Sequence, residues 1–164
     1  MTFLALLLLL PLCSCNAPER EPASAVPASP DAPKPLPRTR LVFPNERAIE
    51  VEMALTPEDQ ERGLMLRTRL DPDYGILYAF PQERVLKFWM KDTLVDLDMV
   101  FLDKDKRITV IHRDVPRAET AAPDSRIARR TGLGRYVLTL PAGAAGWNKL
   151  EVGQKLRFDA PEPR

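Results

Sequence analysis

The chain has 164 residues, a formal net charge of +1, and charged side chains at 29% of its positions. This length fits one domain of ordinary size. The near-neutral charge argues against the strongly basic surface typical of nucleic-acid binding, so we expect no nucleic-acid partner. Proline is frequent, with 17 residues, and these are concentrated in the first quarter of the chain.

The N-terminus predicts export. An apolar run from residue 3 to 12 has the length of a signal-peptide core and is too short to span a bilayer, although no Lys or Arg precedes it. Leu12-Cys13-Ser14-Cys15 resembles a bacterial lipobox, with Cys15 as the lipidated residue. A Cys13–Cys15 disulfide, or free thiols in a cleaved peptide, is the alternative. After cleavage at Cys15 no free cysteine would remain in the domain.

The organisation that follows is a signal peptide over 1–15, a linker over 16–38, one globular domain over 39–160 and a tail over 161–164. The linker is rich in Pro and Ala and nearly free of large apolar residues, so it cannot offset its ordering entropy by burial. Asn16 after the cysteine favours the periplasmic face of the outer membrane, with the inner membrane as the alternative.

The first regular elements follow from changes in periodicity. Residues 48–55 alternate between apolar and polar positions, as in a half-buried strand. Thr56, Pro57 and the acids after them then predict a short helix with Thr56 as its N-cap, ending near Gly63. Arg62 and Arg67 flank that end, where they could bond its last carbonyls.

The rest of the domain reads as short strands joined by turns. The predicted strands lie at 75–80, 85–90, 94–102, 108–111, 135–140 and 155–158, with a polar loop at 113–130 and a short helix or turn at 141–150. Seven strands and one clear helix predict a mainly β fold, as a compact β-sandwich or partly open barrel with one or two short helices.

Several motifs resemble one family, domain of unknown function 192, over about residues 50–158. The resemblance implies a compact, mostly β domain that is frequently exported or lipid-anchored, with no established reaction. Asp92 stands where the family usually has Asn, and the stretch 126–134 is longer and more basic than is usual. The motifs are Thr56-Pro57-Glu58, Glu61-Arg62-Gly63-Leu64-Met65, Arg67, Gly75-Ile76-Leu77, Phe88-Trp89-Met90-Lys91-Asp92-Thr93, Leu97-Asp98 and Tyr136-Val137-Leu138.

Residues with catalytic potential form no convincing constellation. His112, the single histidine, is interpreted as a strand-end residue flanking the core. Ser125 lacks the Gly-x-Ser-x-Gly setting of a hydrolase nucleophile. Asp92, Asp96 and Asp98 could together hold a hard cation such as Ca²⁺, but their spacing matches no EF-hand loop. We predict no metal and no cofactor.

The stretch from Leu86 to Leu102 predicts a hairpin that turns at Asp92-Thr93. Its register would place Phe88 opposite Leu97 in the core, with Trp89 opposite Asp96 and Lys87 opposite Asp98 on the other face. That second face is either a solvent-exposed ion pair beside a covered Trp89 or a recognition patch for a polar ligand.

Two functions remain open at this point. The first is a noncatalytic module, lipid-anchored in the cell envelope, that binds an unknown envelope ligand or protein, contacts the membrane through its lipid and is a monomer. The second is an envelope enzyme that uses carboxylates or a metal near Trp89 and Asp98.

An arginine cluster at 126, 129, 130 and 135 is either a solvated loop or a contact with anionic headgroups. The candidate binding residues are Arg62, Arg67, Trp89, Lys91, Asp92, Asp96 and Asp98.

Overall fold

Six strands and two short helices make up the part of the chain that the computed structural model describes, residues 35–119, 121 and 123–163. The predicted signal peptide, Cys15 and the predicted linker as far as residue 34 lie outside these residues. No helix within the described ranges is long and apolar enough to cross a membrane. The elements are β1 (Arg38–Val42), β2 (Ala48–Ala54), α1 (Pro57–Arg62), β3 (Ile76–Trp89), β4 (Leu97–Leu102), β5 (Ile108–Val115), β6 (Arg129–Pro141) and α2 (Ala144–Trp147).

The strands form one curled sheet in the order β1-β2-β3-β6-β4-β5. The pairing of β2 with β3 is parallel, and the other neighbours are antiparallel. The segment after α2 bridges the two edges of the sheet, because Arg157 pairs with Val42 of β1 and Lys155 pairs with Arg107, just before β5. This closure confirms the predicted mainly β fold in its partly open barrel form.

Two predicted strands are in fact one. β3 is 14 residues long and runs through Pro81, where the sequence indicated a break. Pro81 lies in an irregularity between the Ala79–Tyr136 and Arg84–Gly134 pairs, where a strand tolerates a residue without an N–H. The predicted strand at 155–158 was wrong, since it contributes only isolated bridges, and β1 was not predicted.

The predicted hairpin of residues 86–102 was also wrong. The distal half of β3 pairs with β6, so that Lys87 lies opposite Thr131 and Trp89 opposite Arg129. β4 pairs instead with β5 and with the second half of β6. The alternation within each segment was read correctly, but alternation does not identify the partner strand.

The central strands are buried on both faces, as predicted for the strand at 75–80. All six residues of β4 are buried. One core fills the inside of the curl and includes the predicted stripe of Tyr136, Leu138 and Leu140. A second core lies on the other face of the sheet and includes Tyr78, Leu86, Met90, Met99 and Phe101.

The second core is covered by α1 and by the loop between β5 and β6. Thr56 caps α1 as predicted, since its side-chain oxygen accepts a hydrogen bond of 3.2 Å from the Asp59 amide. The chain leaves α1 through Gly63 and buries Leu64. In the loop, Ile127 is buried in the same core. These covering segments leave a cleft beside the distal half of β3.

Candidate functional site

A cleft of about 590 Å³ lies over the second core, between the segment that leaves α1 and the end of β3. Its size falls within the range of roughly 300–1,000 Å³ that is usual for small-molecule sites. The Arg-Gly-Leu-Met and Trp-Met-Lys motifs, separated in the sequence, form its two walls. The lining residues are Gln60, Glu61, Arg62, Gly63, Leu64, Met65, Tyr78, Phe80, Lys87, Phe88, Trp89, Met90, Lys91, Asp92, Thr93, Leu97, Met99 and Thr139.

The floor of the cleft is aromatic and apolar. Phe88 is only partly buried and packs edge-on against Tyr78, with ring centroids 4.9 Å apart, and against Phe101 at 5.8 Å. Leu64 and Met90 are buried beside them. Edge-to-face contacts of this kind fix ring positions, so the floor is a preformed surface.

Gly63 brings one wall close to the floor. A Cβ atom at this position would lie 2.4 Å from the Tyr78 hydroxyl oxygen, and the backbone has φ +41°, so glycine is required there for both reasons. Burial raises the pKa of the Tyr78 phenol well above its ordinary value, although its hydrogen bond with Thr139 opposes this shift. Tyr78 therefore stays neutral at physiological pH.

The rim of the cleft is cationic and centres on Trp89. The indole is 38% exposed. Lys91 Nζ lies 4.9 Å from a ring centroid of Trp89, and Arg129 Cζ lies 4.7 Å from it, both within cation–π range. Among the described residues, no carboxylate forms an ion pair with Lys87, Lys91 or Arg129. The Trp89 side of the rim therefore carries positive charge that is available to an anion, while the exposed carboxylates of Glu61 and Asp92 also line the cleft.

The backbone of β3 is open toward the cleft. The Met90 amide donates a hydrogen bond of 3.0 Å to the Ala128 carbonyl, which makes Met90–Ala128 a hydrogen-bonded pair. In an antiparallel ladder these pairs alternate, so Phe88 also bonds to β6 whereas Lys87 and Trp89 direct their amides and carbonyls away from it. β2 occupies this edge of β3 only as far as Tyr78.

On the edge of β6 that faces away from β3, the carbonyls of alternate residues also point outward, but these carbonyls have hydrogen-bond partners. The Thr131 carbonyl lies 3.0 Å from Nε2 of His112, and the Leu133 carbonyl accepts a bond of 2.6 Å from the Thr109 hydroxyl. His112 also packs edge-on against Phe101, as expected of a residue flanking the core. At residues 131–133 the outer edge of β6 is thus covered by side chains of β5, whereas the opposite edge, on β3, faces the cleft.

Four of the candidate residues meet at the cleft. Arg62, Trp89, Lys91 and Asp92 all line it, and Arg62 also pairs with Asp59 at 2.8 Å. Neither Arg62 nor Arg67 makes a side-chain bond to the last carbonyls of α1.

The other three candidates do not line the cleft. Arg67 donates a 3.0 Å bond to Glu52 and stacks on Tyr74, so it connects α1 to β2 instead. Asp96 is exposed and accepts a bond of 2.8 Å from the Arg117 amide, which holds the loop after β5. Asp98 is the third.

Asp98 has a structural setting on the opposite face of β4. Its neighbours Leu97 and Met99 line the cleft, so alternation directs Asp98 away from it. The carboxylate is fully buried and accepts bonds of 2.9 Å from the Asp114 amide and 2.8 Å from the Ala145 amide. Asp92, Asp96 and Asp98 therefore do not converge on one cation, and Asp98 does not join Trp89.

The sequence did not indicate Gly63, Leu64, Tyr78 and Phe88 as site residues, and Lys87 was placed on the face of Trp89 but not among the candidate binding residues. Gly63 and Leu64 belong to a motif that was recognised, so the motif itself was the available signal. Tyr78 and Phe88 looked like ordinary core residues. The opening at Lys87 depends on where β2 ends, which no local pattern reveals.

Known proteins share both the sequence pattern and the fold. The family model of domain of unknown function 192, described as an uncharacterized ACR, matches residues 40–158. No curated protein matches the sequence.

Two solved structures are similar. A protein from Sinorhizobium meliloti 1021, provisionally assigned as a transcription regulator, is 34% identical with a TM-score of 0.61, covering 74% of this chain and 92% of its own. A protein of unknown function from Novosphingobium aromaticivorans DSM 12444 is 24% identical with a TM-score of 0.63, and the match covers 82% of this chain and 94% of that protein. Because the family model spans most of the chain, the protein belongs to the domain of unknown function 192 family.

Proposed function

We propose that this protein is a lipid-anchored component of the bacterial cell envelope whose folded domain binds a ligand in the cleft without catalysing a reaction. The observation that carries the binding role is the meeting of two separate motifs at one preformed cleft, with an apolar floor and a cationic rim. Few convergent polar groups over an apolar surface are the usual composition of a ligand site.

The enzymatic alternative receives less support from the geometry. It places carboxylate or metal chemistry near Trp89 and Asp98, but Asp98 lies on the other face of β4 with both carboxylate oxygens bonded to backbone amides. The carboxylates that do line the cleft are Glu61 and Asp92, both exposed. Exposed carboxylates lack the burial that usually tunes a catalytic acid or base.

The anchor part of the proposal rests on the lipobox sequence that ends at Cys15. A lipid on Cys15 and a proline-rich spacer between Cys15 and β1 would hold the domain at the periplasmic face of the outer or inner membrane. Cys15→Ser should leave the protein unacylated and either soluble or retained as its precursor. Cell fractionation and mass spectrometry of the mature N-terminus test this, and a mature N-terminus at any residue other than Cys15 would contradict it.

The cleft can be tested through its own tryptophan. In a Trp147→Phe background Trp89 is the single indole, because the chain has two tryptophans. Emission is followed during titration with envelope glycans, peptides, single-chain lipids and divalent ions, and with duplex DNA because one similar structure is assigned to transcription. We expect saturable binding of one class that Lys91→Gln weakens, whereas Lys155→Gln, at an exposed position outside the cleft, leaves it unchanged.

The result that would overturn the binding role is the absence of a response from every class. Amide chemical shifts of the cleft residues, followed under the same conditions, extend the test to ligands that do not alter indole emission. No shift at Phe88, Met90 or Lys91 with any ligand class would leave the cleft with a structural role alone.

A further inference from the structure

We propose that the cleft receives an extended acidic segment of a partner protein, which adds to β3 as a strand beside Lys87 and Trp89. This inference rests on the proposed binding function and names its ligand class. It depends on three features of the cleft: an open strand edge, cations without carboxylate partners, and apolar positions that alternate with those cations.

The open edge supplies main-chain hydrogen bonds. β2 lies along β3 up to the Ala54–Tyr78 pair and then ends, and the irregularity at residues 80–83 separates that paired part from the distal half. Beyond it, the amides and carbonyls of Lys87 and Trp89 face the cleft. Such a row of free donors and acceptors is what an added strand pairs with, and it supplies sequence-independent affinity.

The cations determine the charge of the partner. Lys87 and Trp89 share one face of β3, and their partners Thr131 and Arg129 share the same face of β6. Lys87 and Lys91 border the open edge, and Arg129 of the neighbouring β6 adds a third cation against Trp89. None of the three has an ion-pair partner among the described residues. A strand placed beside Lys87 would direct alternate side chains toward these cations, where Asp or Glu fits and Lys or Arg does not.

The floor determines the other positions. Leu86, Phe88 and Met90 alternate with Lys87 and Trp89 and face the second core, and Phe88 remains partly accessible from the cleft. The other side chains of an added strand would lie over Phe88 and Leu64. The partner segment is therefore expected to alternate between acidic and apolar residues.

Lysine on an open edge has a second known role, which is to prevent unwanted strand pairing. The two roles predict opposite results, since a protective Lys87 repels added strands whatever their composition, whereas a recognition Lys87 favours an acidic one.

The proposal is tested on the full chain carrying Cys15→Ser, which removes the acylation site, and Trp147→Phe, which leaves Trp89 as the reporter.

The probes are capped six-residue peptides that alternate Asp with Val or Lys with Val. We expect saturable binding of the acidic peptide, at least about tenfold tighter than that of the basic one. Two N-methylated versions of the acidic peptide then test the geometry. Methylation of the amides at one set of alternate positions should abolish binding and methylation of the other set should not, because an added strand bonds through alternate residues.

Matched variants separate charge from backbone. Lys87→Gln should weaken the binding of the acidic peptide about tenfold, because it removes one charge-assisted contact. Lys87→Pro removes the charge and the outward amide together while leaving the β3–β6 hydrogen bonds intact, so it should fold but bind still more weakly. Lys155→Gln should bind as the parent does. Circular dichroism and thermal unfolding confirm that each variant is folded.

Equal binding of acidic and basic peptides, or equal loss from both methylated sets, overturns the inference. If glycans or single-chain lipids change Trp89 emission and no peptide does, the cleft binds a ligand but not an added strand. If no ligand of any class produces a change, the proposed function fails along with the inference.

Discussion

The amide of Leu66 donates a hydrogen bond of 2.8 Å to the main-chain oxygen of Asp92, and this bond joins the two walls of the cleft. Both residues have positive φ, 62° for Leu66 and 53° for Asp92, so each segment turns sharply where they meet. Asp and Asn adopt this conformation more readily than most residues. The bond uses the Asp92 main chain, so replacing the Asp92 side chain by that of Asn would leave it in place.

The buried carboxylate of Asp98 should be among the strongest determinants of stability. Asp98→Ala leaves the Asp114 and Ala145 amides without their acceptor. The Ala145 amide is buried, and an unsatisfied buried donor costs about 1–3 kcal/mol, while the part-buried Asp114 amide adds a smaller loss. We expect the free energy of unfolding to fall by about 3 kcal/mol, measured from denaturant titration with the slope held constant.

Asp98→Asn is the matched control for this change. The amide side chain keeps one acceptor oxygen in a similar volume, so it should lose less stability than the alanine variant. A loss below about 1 kcal/mol for Asp98→Ala would contradict the structural role.

Much of the fold could be predicted because its signals are local. The alternation at 48–55, the cap at Thr56 and the apolar stretch at 75–80 each follow from a few neighbouring residues. The wrong hairpin shows the limit of such signals. Two alternating segments that are close in sequence suggest that they pair with each other. Trp89 nevertheless pairs with Arg129, and only the complete sheet shows which strand each segment pairs with.

The candidate site was predicted only in part, for a similar reason. Arg62, Trp89, Lys91 and Asp92 lie in motifs that mark the cleft, and the structure brings them together. Asp98 was placed on the same face as Trp89 by the predicted hairpin register, whereas in the structure it is buried on the opposite face of β4. The backbone amides of Asp114 and Ala145, which make that burial possible, come from distant parts of the chain.

Gly132 should be intolerant of even the smallest side chain. A Cβ atom there would lie 2.6 Å from Cγ of Phe101 and 2.7 Å from Val110, inside a packed region. Gly132→Ala should therefore destabilise the fold by about 1–3 kcal/mol through overpacking. The control is Gly146→Ala in α2, where the nearest atom is 3.9 Å away and alanine favours the helix. Thermal unfolding of both variants measures the difference, and equal midpoints would refute the steric argument.

Tyr78 should make stability fall at alkaline pH. Burial raises the pKa of its phenol in the folded state above the value of about 10 in the unfolded chain. Below about pH 10 the phenol is neutral in both the folded and the unfolded chain, so the stability that it contributes to the fold is fully present. As pH rises further, the unfolded chain loses the proton first, and stability falls by up to about 1.4 kcal/mol per pH unit.

Tyr78→Phe removes this group, so stability should decline less steeply above pH 10. Some alkaline dependence should remain, because burial and a hydrogen bond to Glu52 also raise the pKa of Tyr74. The measurement is the slope of unfolding free energy against pH for both proteins. Identical slopes would show that Tyr78 ionises alike in the folded and unfolded chains.

Amide hydrogen exchange should reveal the open edge of β3 without any ligand. Phe88 and Met90 donate to β6, so their amides should exchange slowly, whereas the Lys87 and Trp89 amides face the cleft and should exchange at least about tenfold faster. The alternation within four consecutive residues provides its own control, because they share one strand and the same global stability. Nuclear magnetic resonance resolves each amide separately. Slow exchange at all four positions would mean that the edge is already paired in the free protein, and an incoming strand would then have no donors to use.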